Sequence, residues 1–268
     1  MKEFKKPIGV FDSGLGGLTV VKAIRERLPN ESIVYLGDTA RVPYGNKSKI
    51  TIQKYSIQIT EFLMRKNVKA IVVACNTVSA LVLQELSQRV QIPVMGVIEP
   101  GVLAAENQSK IKRIGVIGTD ATIQSNAYKN LLVSINTELK VFSQPCPLLV
   151  PLAEDGWVGD NIVKQILIQY LTPLIKKSVD TLILGCTHYP VFLDFISEII
   201  GPNVKIIDSP SEVANSFFQH LKKYNLLSDN ESLGKLECFV TDKTRSYSKI
   251  AETFLGSYVS NLHFTDLC

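Results

Sequence analysis

The chain has 268 residues, 46% hydrophobic and 20% charged, proportions that exclude bulk disorder and allow one large domain or two modest ones. Its 29 basic and 25 acidic side chains give a net charge of +4 with no basic tract, which speaks against a nucleic-acid partner. The 5 cysteines are widely spaced and form no CxxC pair, so free thiols in a reducing compartment are expected rather than a disulfide framework.

The leading Met1-Lys2-Glu3-Phe4-Lys5-Lys6-Pro7 is basic, but the apolar stretch behind it is only Ile8–Phe11. No signal peptide is expected, and no run approaches the ~20 residues of a membrane span. The sequence therefore reads as a cytoplasmic protein without a membrane partner. Apolar, β-branched runs predict strands at Ile8–Phe11, Ile33–Leu36, Ala70–Ala74, Val94–Ile98, Ile114–Ile117, Thr181–Leu184, Val204–Ile207 and Leu236–Val240. Unbroken runs of this kind suit parallel strands covered on both faces. Between them, Ile52, Tyr55, Ile59 and Phe62 trace one helical face, and Val163, Ile166, Leu167, Tyr170, Leu171 and Leu174 another. Ser209-Pro210-Ser211-Glu212 reads as a helix start, with Ser209 as N-cap, Pro210 at the first helical position and Glu212 closing a capping box. The pattern is α/β.

Three landmarks recur at nearly one spacing. Ile8-Gly9-Val10 returns as Ile114-Gly115-Val116 after 106 residues, Ile98 aligns with Ile207 after 109, and Cys75 with Cys186 after 111. Two related α/β halves with mainly parallel sheets are expected, the active site lying in the cleft between them. The first domain would comprise residues 1–98 and, through a returning tail, 208–268; the second would comprise 99–207.

Asp12-Ser13-Gly14-Leu15-Gly16-Gly17 follows the first strand and opens a helix, offering backbone N–H groups to an anion. The spacing is neither G-x-G-x-x-G nor a P-loop, so a small-substrate loop or a plain strand-to-helix turn are the readings, with Ser13 as donor and Asp12 as acceptor. Gly37-Asp38-Thr39-Ala40-Arg41-Val42-Pro43-Tyr44-Gly45 follows the second strand as a turn in which Tyr44 can lie over a pocket. In open parallel sheets ligands bind outside the carboxyl ends of the strands. Cys75 and Cys186 each end an apolar run and are followed by Asn76-Thr77 and Thr187-His188. A buried structural thiol is the alternative for each; their matched settings favour chemistry, one sulfur on either side of a substrate carbon. Cys75, Cys186 and His188 are potential zinc ligands, but no local ligand pair accompanies them, and no metal is expected. Glu154 in Pro151-Leu152-Ala153-Glu154-Asp155-Gly156 is a supporting acid or a surface carboxylate. Thr119 and Thr122 are N-cap or site residues. Cys146, Cys238 and Cys268 read as incidental, and His220 and His263 as ordinary helix and strand residues.

Taken together, DSGLGG, DTARVPYG, ACNTVSA, GTDATIQSNAY, PLAEDG and GCTHYP closely resemble bacterial glutamate racemase, in the family's order and over nearly the whole chain. Val78 stands where the family often has Ala. The resemblance implies a cofactor-independent enzyme interconverting L- and D-glutamate and supplying the D-isomer for peptidoglycan. By motif, Cys75 and Cys186 are the two acid/base thiols, the first acting on D-glutamate and the second on L-glutamate. Asp12, Ser13, Tyr44, Gly45, Asn76, Thr77, Thr187 and His188 fall on substrate-binding positions, with Thr119 and Thr122 as additional candidates. Asp12, Glu154 and His188 fall on positions that assist the thiols. A homodimer is left open, as are an aspartate or hydantoin racemase of the same architecture, a non-catalytic amino-acid-binding module and a thiol-redox protein.

Overall fold

The computed structural model describes residues 3–243, 247–259 and 262–267; Met1, Lys2 and Cys268 lie outside the described residues. Among the described residues, ten strands form two sheets. The first contains β1 (Ile8–Asp12), β2 (Ile33–Gly37), β3 (Ala70–Val73), β4 (Val94–Gly96), β9 (Leu236–Val240) and β10 (Leu262–Phe264); the second contains β5 (Arg113–Gly118), β6 (Lys140–Pro145), β7 (Thr181–Gly185) and β8 (Lys205–Ile207). The strand orders are β10-β9-β2-β1-β3-β4 and β6-β5-β7-β8, and every pairing is parallel. The order β2-β1-β3-β4 is thus repeated as β6-β5-β7-β8, and the returning tail adds β9 and β10 beside β2.

Parallel strands need crossover helices on both faces, which is why β1, β2, β3 and β7 are buried at every position. One apolar cluster runs from Val10 and Val72 in the first sheet to Leu182 and Leu184 in the second and Leu149 beside it. The helix Lys49–Arg65 closes the other face of the first sheet with Ile52, Ile59 and Leu63. Fully burying one such side chain stabilises the fold by about 1.5–3 kcal/mol. The helix Asn161–Lys176 buries Val163, Leu167, Leu171 and Leu174 of the predicted stripe, with Ile166 and Tyr170 half-buried beside them. Among the described residues, no helix is long and apolar enough to cross a membrane.

Three details differ from the sequence reading. Two strands, β6 and β10, lie on sheet edges with mixed, partly exposed faces, so they lack the unbroken apolar run that marks the inner strands. The fourth strand stops at Gly96, and Ile98 opens the helix Ile98–Gln108, whose first turn accepts Pro100. The helix Ser209–Lys223 has Asp208, not Ser209, at its N-cap, without a side-chain cap bond. The Ser209 hydroxyl instead donates to the Leu184 carbonyl at 3.2 Å, satisfying a buried acceptor at the end of β7 and tying this helix to the second sheet.

Candidate active site

The carboxyl ends of the inner strands converge on one small, tightly closed cavity. From the first half it is lined by Ser13, Tyr44, Gly45, Cys75, Asn76 and Thr77, and from the second by Thr119, Cys186, Thr187 and His188; Pro43 and Val150 complete the wall. Asp12, Glu154 and Thr122 stand behind these residues and reach the cavity through them.

Cys75 is the residue before the helix Asn76–Leu81 and is 5% exposed. Its Sγ donates to Ser13 Oγ at 3.6 Å. Burial, followed by the charge of Asp12, pushes its pKa up to about 12, against the opposing hydrogen bonds from the Val78 N–H and Ser13. Cys75 is therefore held as a thiol.

Cys186 has different neighbours. Its Sγ lies 3.7 Å from His188 Nδ1, and His188 Nε2 lies 2.6 Å from Glu154 Oε1. Burial of the ring opposes charging, but the hydrogen bonds to Cys186 and Glu154 and the charge of Glu154 outweigh it, and the imidazole pKa stands well above its ordinary value. An imidazolium here donates one N–H to the carboxylate and directs the other at the sulfur. The ring is further fixed by Phe254, packed edge-on at 5.3 Å and 85°.

The glycine-rich turn serves this arrangement rather than a phosphate. Asp12 is fully buried; its Oδ2 accepts from the N–H groups of Gly14 at 3.2 Å and Gly17 at 3.1 Å, and its Oδ1 accepts from Thr187 Oγ1 at 3.4 Å. Burial raises its pKa, while His188 and the two N–H groups oppose the rise. Gly16 has no alternative: a Cβ there would sit 2.5 Å from His188 Nδ1 and 2.6 Å from Thr187 Oγ1. Gly45 faces the second half equally closely, since its Cβ would lie 2.5 Å from Thr119 Cβ.

Polar contacts sew the two halves together around the cavity. Thr77 Oγ1 lies 3.0 Å from Thr119 Oγ1 and 3.1 Å from Thr122 Oγ1, and Thr119 also caps its own helix by accepting from the Thr122 N–H at 3.3 Å. Asn76 Nδ2 donates to Tyr128 OH at 2.7 Å, leaving Asn76 Oδ1 buried without a partner among the described residues. An unpaired buried acceptor in a cavity wall calls for a donor from whatever occupies the cavity. Among the described residues, no cluster of three His, Cys, Asp or Glu side chains is arranged to hold a metal.

The family profile described as Asp/Glu/Hydantoin racemase matches residues 8–216. The chain belongs to this racemase family. It is 45% identical over 262 residues to the glutamate racemase of Geobacter metallireducens, covering 98% of this chain and 97% of that one. To the glutamate racemase of Aquifex aeolicus it is 49% identical over 252 residues, covering 94% and 95%. Its fold superposes on the crystal structure of glutamate racemase from Francisella tularensis in complex with D-glutamate with a TM-score of 0.93, at 40% identity and 98% coverage of both chains.

In this racemase-family site, sequence reasoning missed Tyr128, Asp38 and Val150. Tyr128 sits inside the GTDATIQSNAY run and Asp38 inside DTARVPYG, so the signal was present. Asn76, the partner of Tyr128, is 52 residues away and only the fold brings the two together, whereas Asp38 and its partner Tyr44 lie 6 residues apart in one loop, where no local pattern marks the pairing.

Proposed function

We propose that the protein interconverts L- and D-glutamate by proton transfer at the α-carbon between two thiols, in the cytoplasm, supplying D-glutamate for peptidoglycan. The observation that carries the reading is the pair Cys75 and Cys186, which follow the third strand of each repeated unit and line one cavity. The four cysteines among the described residues, Cys75, Cys146, Cys186 and Cys238, are all free, in keeping with a reducing compartment.

Two bases on opposite faces of one carbon must differ in protonation: one takes the α-proton while the other gives one. The surroundings supply that difference. His188, backed by Glu154, directs an N–H at the Cys186 sulfur from 3.7 Å, the donor that sulfur needs when it acts as the base, while burial and Asp12 keep Cys75 as a thiol. The Cys186 thiolate takes the α-proton of L-glutamate, the electron pair remains on the α-carbon with its carboxylate, and the Cys75 thiol delivers a proton to the other face. D-glutamate then leaves with Cys75 as thiolate and Cys186 as thiol, and one proton must pass back before the next L-glutamate. The free Asn76 Oδ1 accepts from the substrate ammonium, and the Ser13, Thr77 and Thr187 hydroxyls serve the carboxylates. Both proton carriers belong to the chain, so the reading calls for no cofactor.

We assign residues 1–98 with 208–268 to one domain and 99–207 to the other. Strand membership of the two sheets supports the division, as does packing of the helix Ser209–Lys223 on Leu18–Arg27.

The test is racemisation of L-glutamate in D₂O by purified protein with no added cofactor. D-glutamate carrying deuterium at the α-carbon is expected. Absence of both turnover and exchange would remove the reading, and turnover of aspartate in its place would move the assignment within the family.

A further inference from the structure

One buried charge near the cavity has no part in the chemistry above. Asp38, directly after β2, is 0% exposed, yet both carboxylate oxygens are occupied. Arg41 Nε donates to Oδ1 at 2.9 Å and to Oδ2 at 2.7 Å, Thr241 Oγ1 donates to Oδ1 at 2.7 Å, and Tyr44 OH donates to Oδ2 through a short hydrogen bond. Arg41 is held in turn by Gln58 Oε1 at 2.6 Å and lies 4.0 Å over the Tyr55 ring. Tyr55 packs 5.7 Å from the Tyr44 ring. The Asp38 N–H donates to the Asp12 carbonyl at 3.1 Å, so the carboxylate is anchored to the end of β1. Burial and the charge of Asp38 keep the Tyr44 hydroxyl protonated. Its one proton is directed at Asp38, so Tyr44 meets the cavity with its ring and backbone.

We propose that Asp38 is a positioning residue: by drawing Arg41, Tyr44 and Thr241 onto one buried carboxylate it holds the Tyr44–Gly45 turn as a fixed wall of the substrate cavity. Without that anchor the turn between Val42 and Ser48 has Pro43 and the backbone bond from the Lys47 N–H to Tyr44 O, but, among the described residues, no side-chain hydrogen bond to the sheet. The inference rests on the racemase reading for its kinetic readout and carries a second readout that needs no substrate.

The experiment compares wild type with Asp38→Asn, Tyr44→Phe and the double variant. Racemisation kinetics are measured in both directions, together with amide hydrogen exchange of the peptide spanning 42–48. Losing a hydrogen bond to a buried charge predicts a KM raised roughly 10- to 100-fold in each single variant, with kcat changed by less than about threefold and the pH limbs unmoved. The double variant should be no worse than Asp38→Asn alone. Exchange should accelerate in 42–48 and stay unchanged in Asn76–Leu81. If Asp38→Asn folds poorly, Tyr44→Phe alone decides. Wild-type KM, an unchanged KM with a fallen kcat, additive variants, or wild-type exchange in 42–48 would each overturn the proposal. If wild type does not turn over glutamate, the functional reading fails while hydrogen exchange still decides the role of Asp38.

Discussion

Gly16→Ala tests the claim that the glycine-rich turn exists to let Thr187 and His188 approach. The added Cβ would stand 2.5 Å from His188 Nδ1 and 2.6 Å from Thr187 Oγ1, where ordinary contact begins at 3.4 Å. One partner must retreat by about 1 Å, and misplacement on that scale costs roughly 100-fold in rate. His188 has nowhere to go, with Glu154 at 2.6 Å on one nitrogen and the edge contact with Phe254 on its side. Gly16→Ala should therefore lower kcat/KM about 100-fold, equivalent to about 2.7 kcal/mol of transition-state stabilisation. The assay follows optical activity of L-glutamate, with thermal melting to correct for folded fraction. Gly159→Ala is the control, since its Cβ would meet nothing within 4 Å. A kcat/KM within threefold of wild type, or an equal loss in Gly159→Ala, would refute the reasoning.

Glu154→Gln should lower the His188 pKa, so the alkaline limb of kcat/KM moves to lower pH and activity at pH 8 falls roughly tenfold; pH–rate profiles check this. With its folded pKa above the unfolded ~6.5, His188 contributes stability that is full below that pH and lost as pH rises through the folded value. The melting-temperature gap between wild type and Glu154→Gln should then be wider at pH 6 than at pH 9. Cys75→Ser and Cys186→Ser should each cut racemisation by about 10²–10⁴-fold, while each retains elimination from one enantiomer of a glutamate analogue bearing a β-leaving group; full activity in Cys186→Ser would sink the two-base mechanism. Far from the cavity, Lys69 and Glu31 form a buried pair at 2.5 Å. Lys69→Met, leaving Glu31 charged and buried, should cost about 3–5 kcal/mol in denaturant unfolding with the kcat of folded protein unchanged.

The inner strands were legible because burial on both faces forces continuous apolar runs, as in Ile71-Val72-Val73 and Leu182-Ile183-Leu184. Edge strands escape that requirement, and Lys140–Pro145 and Leu262–Phe264 carry no such signal. The thiols stood out as polar residues ending apolar runs. The roles of their supporters were not readable locally: Glu154 looks like a surface acid until the fold brings it to His188, 34 residues away. Ser209 was misread because a local capping pattern cannot show that a buried carbonyl, Leu184 O, competes for the hydroxyl.

The unequal surroundings of the two thiols, Ser13 beside Cys75 and the His188–Glu154 pair beside Cys186, have a thermodynamic consequence. Free L- and D-glutamate are mirror images of equal free energy in water, so their equilibrium constant is one, whatever the enzyme. A Haldane relation then ties kcat/KM for one enantiomer to kcat/KM for the other, and no difference between the thiols can separate the two ratios. The asymmetry can appear only as kcat and KM rising or falling together in one direction. A repeated fold with unlike surroundings at its two sulfurs is thereby free to tune how long each enantiomer is held, without ever favouring one at equilibrium.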